Sequence, residues 1–401
     1  MSPFDRHSWL ALKVIVGSWA IVALCLMSPL ISPRWAMLTR PFLNYVVVSF
    51  AVFYLAFFVG QGMRGTRRVS VSAAGMRKTM FALFAIGIAS RAVDRFYLRP
   101  VGNIFSVESV RAAREAGSNA FSAIGAITPA FAIVIYCVVR ERLSSRQRLA
   151  ALVCIAVVLL DVYFNGSRGA ILVIGALLVG HRLTMRRILA LIVLAIPLSG
   201  LLYLARFTSL TGGTAALSQV MYTNSTLGYA IYVPISSDHA GILTSSLGRI
   251  LGFPVVQLNQ YLAHSLFEFS SFYSNIPGSS WAPGSLVPQF PGLPTQSDFY
   301  YPPNVYYTMI GTLAISFGKM ATFAAAVVGG FLGFVYRRSI ALGSSARALV
   351  LVALAGAPVV NTLGGYDLVF YLVAIAVVSR YQLVDVPDDD VVRQPVPQAA
   401  G

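Results

Sequence analysis

The stretch LNYVVVSFAVFYLAFFVG, from Leu43 to Gly60, contains no charged side chain and runs into the basic residues Arg64, Arg67 and Arg68. Hydrocarbon offers no partners to backbone N–H and C=O groups, so a segment crossing a bilayer must satisfy them internally, as a helix does. About 20 predominantly apolar residues cross the hydrocarbon core, with about 17 as the lower limit. Leu43–Gly60 meets that length and reads as a transmembrane helix. Similar runs lie on both sides of it, near residues 10–31, 79–93, 119–139, 149–164, 169–181, 188–206, 305–336, 348–364 and 366–380. The chain is therefore expected to be an all-α polytopic membrane protein of about ten transmembrane helices. The run at 305–336 is too long for one straight span, and Gly311 with Phe317–Lys319 suggests a half-helix followed by a full one. The short runs 149–164 and 169–181 meet at Asn165–Gly169, which reads as a tight turn dipping into the membrane.

Composition agrees with this reading. Of 401 residues, 57% are hydrophobic and 11% charged, against about 25% charged in soluble domains. Apolar runs recur along most of the length, which excludes a soluble enzyme with one anchor. The first run, Leu10–Ile31, has a basic N-terminal flank like a signal peptide, but it can span and lacks a small-residue cleavage site. Cys25, Cys137 and Cys154 fall inside apolar runs without metal-ligand or disulfide spacing.

The net charge of +16 is distributed as orientation signals, not as a nucleic-acid surface, and no nucleic-acid partner is expected. Arg64, Arg67, Arg68, Arg77 and Lys78 form one cluster. Arg140, Arg142, Arg146 and Arg148 form the next, followed by Arg182, Arg186 and Arg187, then Arg337, Arg338 and Arg347. Placing these inside puts both termini in the cytoplasm and the segment 207–304 outside. Four regions follow: helices in 1–206, a periplasmic loop with amphipathic helices in 207–304, helices in 305–381, and a disordered cytoplasmic tail in 382–401. No internal repeat relates the two halves, which disfavours a transporter built on inverted repeats.

Several polar residues stand out against this background. Arg91, Arg95, Arg99, Arg111 and Arg114 follow the third helix on the outer side, against the positive-inside tendency. They fit an anion site, because the guanidinium fork donates two parallel hydrogen bonds to phosphate. They equally fit local pairing with Asp94, Glu108 and Glu115. Arg168 sits at the membrane-level turn, where a charge costs roughly 2.5–3.5 kcal/mol on insertion scales and faces a polar cavity or a partner. Asp161 is a candidate partner, and a purely structural Arg–Asp pair is the alternative.

Within 207–304 the charged residues are Asp238, Arg249, Glu268 and Asp298, among many aromatic, Gly and Pro residues. Residues 260–269 read as an amphipathic helix with Tyr261, His264 and Glu268 on one face. A His/Glu pair one turn apart can supply a general base, or it can simply stabilise the helix. Asp238–His239 is a second, weaker candidate. Arg206 and Arg249 join the candidate substrate-binding set, and Pro302–Asn304 opens the half-helix, whose N-terminal N–H groups favour anions. No outward acidic cluster is visible, so neither a catalytic metal nor a cofactor is expected.

Arg91–Arg95 with Arg111, Gly166–Ala170 around Arg168, Tyr261–His264 in the outer loop, and Asn304, Phe317–Gly318 and Arg337–Arg338 give the chain a resemblance to the Wzy-type oligosaccharide repeat-unit polymerases. The resemblance implies a membrane-embedded, polyprenol-phosphate-using glycosyltransferase of GT-C-like fold, independent of metal, at the periplasmic face of the bacterial inner membrane. Its substrates would be undecaprenyl-diphosphate-linked oligosaccharides, as donor and as acceptor, with a chain-length regulator as a possible partner. His264, Glu268 and Arg168 would be catalytic, and the outer arginines, Tyr261, Arg206 and Arg249 would hold substrate. The His-rich signature of the related O-antigen ligases is not evident, which favours polymerase over ligase. A ligase, or a flippase of lipid-linked oligosaccharide, stays open beside it.

Overall fold

The computed structural model describes residues 6–63, 69–99, 119–164, 173–175, 177–178, 233, 253–276, 281, 308–359 and 368–384. They form α1 (Arg6–Leu26), α2 (Arg40–Gln61), β1 (Val69–Ser72), α3 (Ala73–Val93), α4 (Ala120–Val139) and α5 (Ser145–Phe164). Then follow α6 (Phe253–Tyr273), α7 (Met309–Phe317), α8 (Ala321–Ser339), α9 (Ser344–Gly356), α10 (Leu368–Val378) and β2 (Tyr381–Val384). This is a helical membrane protein. Among the described residues, the helical stretches His7–Leu26, Arg40–Gln61, Ala120–Arg142 and Met309–Leu342 are long and apolar enough to cross a bilayer. The last contains the expected break, since Gly318 adopts φ 61° between α7 and α8. That backbone region is open to glycine and strained for other residues.

Local sequence sets the helix starts. Pro41 stands in the first turn of α2, where its missing N–H costs nothing. Ser72 caps α3 by accepting from Gly75 N, and Thr308 caps α7 by accepting from Gly311 N. Asn119 and Ser122 form a reciprocal capping box at α4. The Pro302–Asn304 opening expected for the half-helix lies outside the described residues.

The closest helix pair is α2 with α8. A Cβ built on Gly329 would lie 2.1 Å from Phe53 O, and one on Gly333 would lie 1.9 Å from Phe57 O. Only glycine on that face lets the two backbones meet, the small-residue packing that membrane helices use without a hydrophobic driving force between them. Phe53 and Phe57 are fully buried beside this seam.

Contacts sort the helix ends into two groups. At one end Ser8 Oγ donates to Gln61 Oε1 at 2.8 Å, Tyr336 Oη donates to His7 O at 2.8 Å, and Arg347 Nη1 meets His7 Nδ1 at 2.8 Å. At the other end Asn119 meets Asp94, Ser270 Oγ bonds Met37 O, and Met309 N donates to Ala357 O at 2.9 Å. Following the helices between these points brings Arg77, Lys78, Arg140, Arg142, Arg337, Arg338 and Arg347 together at the first end, and Arg34, Arg40, Arg91, Arg95, Arg99 and Lys319 at the second. The described members of the clusters at 77–78, 140–142 and 337–347 thus lie at one end of the packed helices.

One feature departs from the all-α expectation. At the Arg-rich end β1 and β2 pair in parallel, Val69 opposite Tyr381 and Ser72 opposite Val384. Residues 382–384, expected in a disordered tail, are strand. Four residues per strand carry too little periodicity to register in the sequence, and the pairing joins segments far apart in the chain.

Candidate functional site at one end of the bundle

The arginines after α3 are arranged by a short π-helical turn, Asp94–Leu98. This wider turn points Asp94 inward, fully buried, while Phe96 and Tyr97 stay exposed at the bundle end. Arg99 closes on Asp94 with a fork: Nε donates to Oδ1 at 2.8 Å and Nη2 to Oδ2. Asn119 Nδ2 adds a donation to Oδ1 at 2.6 Å, so the residue that caps α4 also ties α4 to the turn. Asp161, near the end of α5, lies 3.3 Å from Arg91 Nε and 3.6 Å from Arg95 Nε. Arg91 reaches it across Gly125, where a Cβ would lie 2.6 Å from Arg91 Cγ.

Of the two readings of these cations, pairing is therefore realised for Arg91, Arg95 and Arg99. Three guanidinium groups face two carboxylates, which leaves the described cluster cationic by one. Asp161, a candidate partner of Arg168 in the sequence, meets Arg91 and Arg95. Arg168, Arg111, Arg114, Arg206 and Arg249 lie outside the described residues, as do Asp238, His239 and Asp298.

The second cluster is on α6, which extends beyond the expected 260–269 at both ends. Gln260, His264 and Glu268 recur at i, i+4 and i+8, a single helix face. All three are buried, with exposures of 2%, 0% and 2%. The sequence gives the shared face of His264 and Glu268, and the packing encloses it. Leu266 and Phe269 join the main core, while Ala263 and Phe267 join a second cluster with Ile31 and Val233, so α6 is enclosed on more than one side. Phe42 and Phe269 pack edge to face at 5.1 Å, as do Trp35 and Phe267 at 5.8 Å. Ser265 Oγ and Ser270 Oγ fasten the helix to Val359 O and Met37 O. Tyr261 lies on α6, but its side chain is outside the described residues.

Within the stripe, Gln260 Nε2 donates to Val233 O at 2.8 Å. His264 Nε2 and Glu268 Oε2 stand 3.6 Å apart, an ion-pair separation longer than a hydrogen bond. Neither oxygen of Glu268 has a hydrogen-bond partner among the described residues. Burial in this apolar surround pushes its carboxyl up to about 8 from 4.5. Glu268 is thus largely protonated at neutral pH and becomes a strong carboxylate base once ionised. Such carboxyls occur at functional sites, where a group must change protonation near physiological pH.

Sequence reading found Arg91, Arg95, Arg99, Asp94, His264 and Glu268, and the structure groups them into these two clusters at one end of the bundle. It missed Asn119 and Gly125. An Asn before an apolar run signals a cap, but nothing in the sequence marks its second bond to Asp94. Comparison of the chain with protein-family models, curated proteins and solved structures yields no match.

Proposed function

We propose that the protein is a membrane-embedded glycosyltransferase of the polysaccharide-polymerase type. It transfers a growing glycan from undecaprenyl diphosphate to a hydroxyl of a lipid-linked repeat unit at the periplasmic face of the inner membrane. The observation that carries this reading is the buried, unbonded carboxyl of Glu268 beside His264, at the bundle end opposite the cytoplasmic-type Arg clusters. A sugar hydroxyl is a weak nucleophile, and a positioned base contributes typically about 10²–10⁴-fold by taking its proton in the transition state. In the proposed step the acceptor oxygen forms a bond to the anomeric carbon as its proton passes to the Glu268–His264 pair. The bond from that carbon to the diphosphate oxygen breaks, and the diphosphate leaves with the electron pair. Its charge is met by the outer cations, Arg168 and the Arg91/Arg95/Arg99 cluster among them, together with Arg111 and Arg114.

The test is a glycan ladder from membranes supplied with lipid-linked repeat units. Glu268→Gln should remove the ladder and leave single repeat units, with the protein present at normal level. A full ladder from that variant would sink the reading. A ligase would instead leave no glycan on the final acceptor. The same buried pair favours one other reading, a flippase that uses it as a proton relay, since an imidazole beside a carboxyl can pass a proton near neutral pH. In that case Glu268→Gln would block movement of the lipid-linked sugar across the membrane while units already outside still polymerised.

A further inference from the structure

The short parallel pair at the Arg-rich end fixes where the chain leaves the bundle. Val384, the last residue of β2, stands opposite Ser72, the residue that caps α3. The strand is anchored on both sides: Leu383 packs against the main core, and Val69 N donates to Arg380 O at 2.8 Å. β1 runs straight into α3, and β2 is parallel to it, so the chain beyond Val384 is aimed along the first turns of α3. The first of those turns holds no acidic residue, and Arg77 and Lys78 stand in the second.

The sequence that continues from β2, Asp385-Val-Pro-Asp388-Asp389-Asp390, lies outside the described residues and carries four carboxylates in six positions. The surface ahead of it has the opposite sign. Arg77, Lys78 and Arg380 make no ion pair among the described residues. α10, which leads into β2, packs against α4 and α8, whose ends bring Arg140, Arg142 and Arg337 to the same region. Glu141 is the only carboxylate at this end among the described residues. The reach is sufficient. An extended chain spans about 3.3–3.6 Å per residue, which puts Asp388 within about 14 Å of Val384. Arg77 and Lys78 lie about 7–9 Å along α3 from Ser72, and the strand spacing adds about 5 Å sideways.

We propose that this basic surface is a docking site for the chain's own acidic segment, with Asp388–Asp390 seated on Arg77 and Lys78. Asp385 then lies beside the start of α3, where the helix dipole favours a negative charge. Anionic lipid head groups are the competing occupant of such a surface. The tether favours the segment, because a few residues of linker hold its carboxylates at an effective concentration on the order of millimolar. Docked, the segment neutralises this flank of the bundle end and shields it from acidic partners. The assignment is independent of the glycosyltransferase reading.

The experiment follows cleavage of the purified chain at Asp385 and Asp388–Asp390 by an endoproteinase that cuts before aspartate, read by intact-mass spectrometry in neutral detergent. A synthetic peptide of residues 380–395 is cut alongside and normalises for the effect of salt on the enzyme. At low salt the segment in the protein should be cut about tenfold more slowly than the peptide, as expected of roughly three exposed ion pairs. The difference should vanish at high salt, where such pairs are screened. Arg77→Gln with Lys78→Gln should bring the rate close to that of the peptide, with the cleaved sequence unchanged. Arg34→Gln with Arg40→Gln removes the same charge from exposed residues at the opposite end and should leave the protection intact. Equal rates for protein and peptide at low salt would overturn the docking, as would protection that survives both high salt and the loss of Arg77 and Lys78. Protection present in detergent but lost in nanodiscs containing phosphatidylglycerol would give the surface to anionic lipid and overturn the proposal as well. Should the Arg77/Lys78 variant fail to fold, the salt dependence of the unaltered chain against the peptide decides.

Discussion

Replacing Glu268 with glutamine isolates the consequence of burying an ionisable group. The carboxyl is raised from 4.5 to about 8 by desolvation. The folded protein therefore keeps this proton over a range in which the unfolded chain has lost it. Stability depends on pH through the difference in bound protons, so it falls as pH rises from about 4.5 to about 8 and is flat on either side. At 1.36 kcal/mol for each pH unit between those two values, the full span amounts to about 5 kcal/mol. About 3 kcal/mol of that is already lost at pH 7. Glutamine has nearly the shape of the protonated acid and does not titrate. Thermal midpoints of the two proteins in detergent, taken from pH 5 to pH 9, give the comparison. The wild type should lose stability across this range relative to Glu268→Gln, and the variant should be the more stable of the two at pH 9. Parallel profiles would show that Glu268 is not held in an apolar surround. A wild type that gains stability with pH relative to the variant would show a carboxylate stabilised by partners, reversing the argument.

Other outcomes follow from the packing and the charges. Gly333→Ala places a methyl 1.9 Å from Phe57 O, so α2 and α8 must part, and folded monodisperse protein should fall sharply on size exclusion. Gly17→Ala, which meets nothing within 4 Å, should behave as wild type in the same assay. Asp94→Asn strips the counter-charge from Arg99 in a buried pair, a change that costs about 3–5 kcal/mol and should show as a lowered Tm. Labelling of cysteines placed at Ser274 and Ser344 tests orientation in intact spheroplasts with an impermeant reagent. Ser274Cys alone should react, and reaction of Ser344Cys alone would invert the proposed topology.

Much of the bundle was legible because a bilayer imposes long apolar runs that depend on no partner. Leu43–Gly60 identifies α2 unaided, and Phe317–Lys319 marks the break before α8. Charge placement is equally local, so the clusters at Arg140–Arg142 and Arg337–Arg338 mark where apolar helices end. The site was legible in composition but not in arrangement. Asp161 stands out in the sequence as a charge inside an apolar run, but that Arg91 and Arg95 reach it depends on how α3 and α5 meet and on the path that Gly125 leaves open for Arg91.

The sequence by itself determined that this is a helical membrane protein, where several of its helices run, and which residues carry unusual charge. Each of those follows from local chemistry, the hydropathy of a run or the cost of a charge beside it. Tertiary structure alone decided that α6 is enclosed, that Glu268 is buried without a hydrogen bond among the described residues, and that β1 pairs with β2. Burial is a property of what packs around a residue. Glu268 in an exposed helix would be an ordinary carboxylate, and the same letters fit both outcomes until Phe42, Trp35 and Val359 close over the helix that bears it.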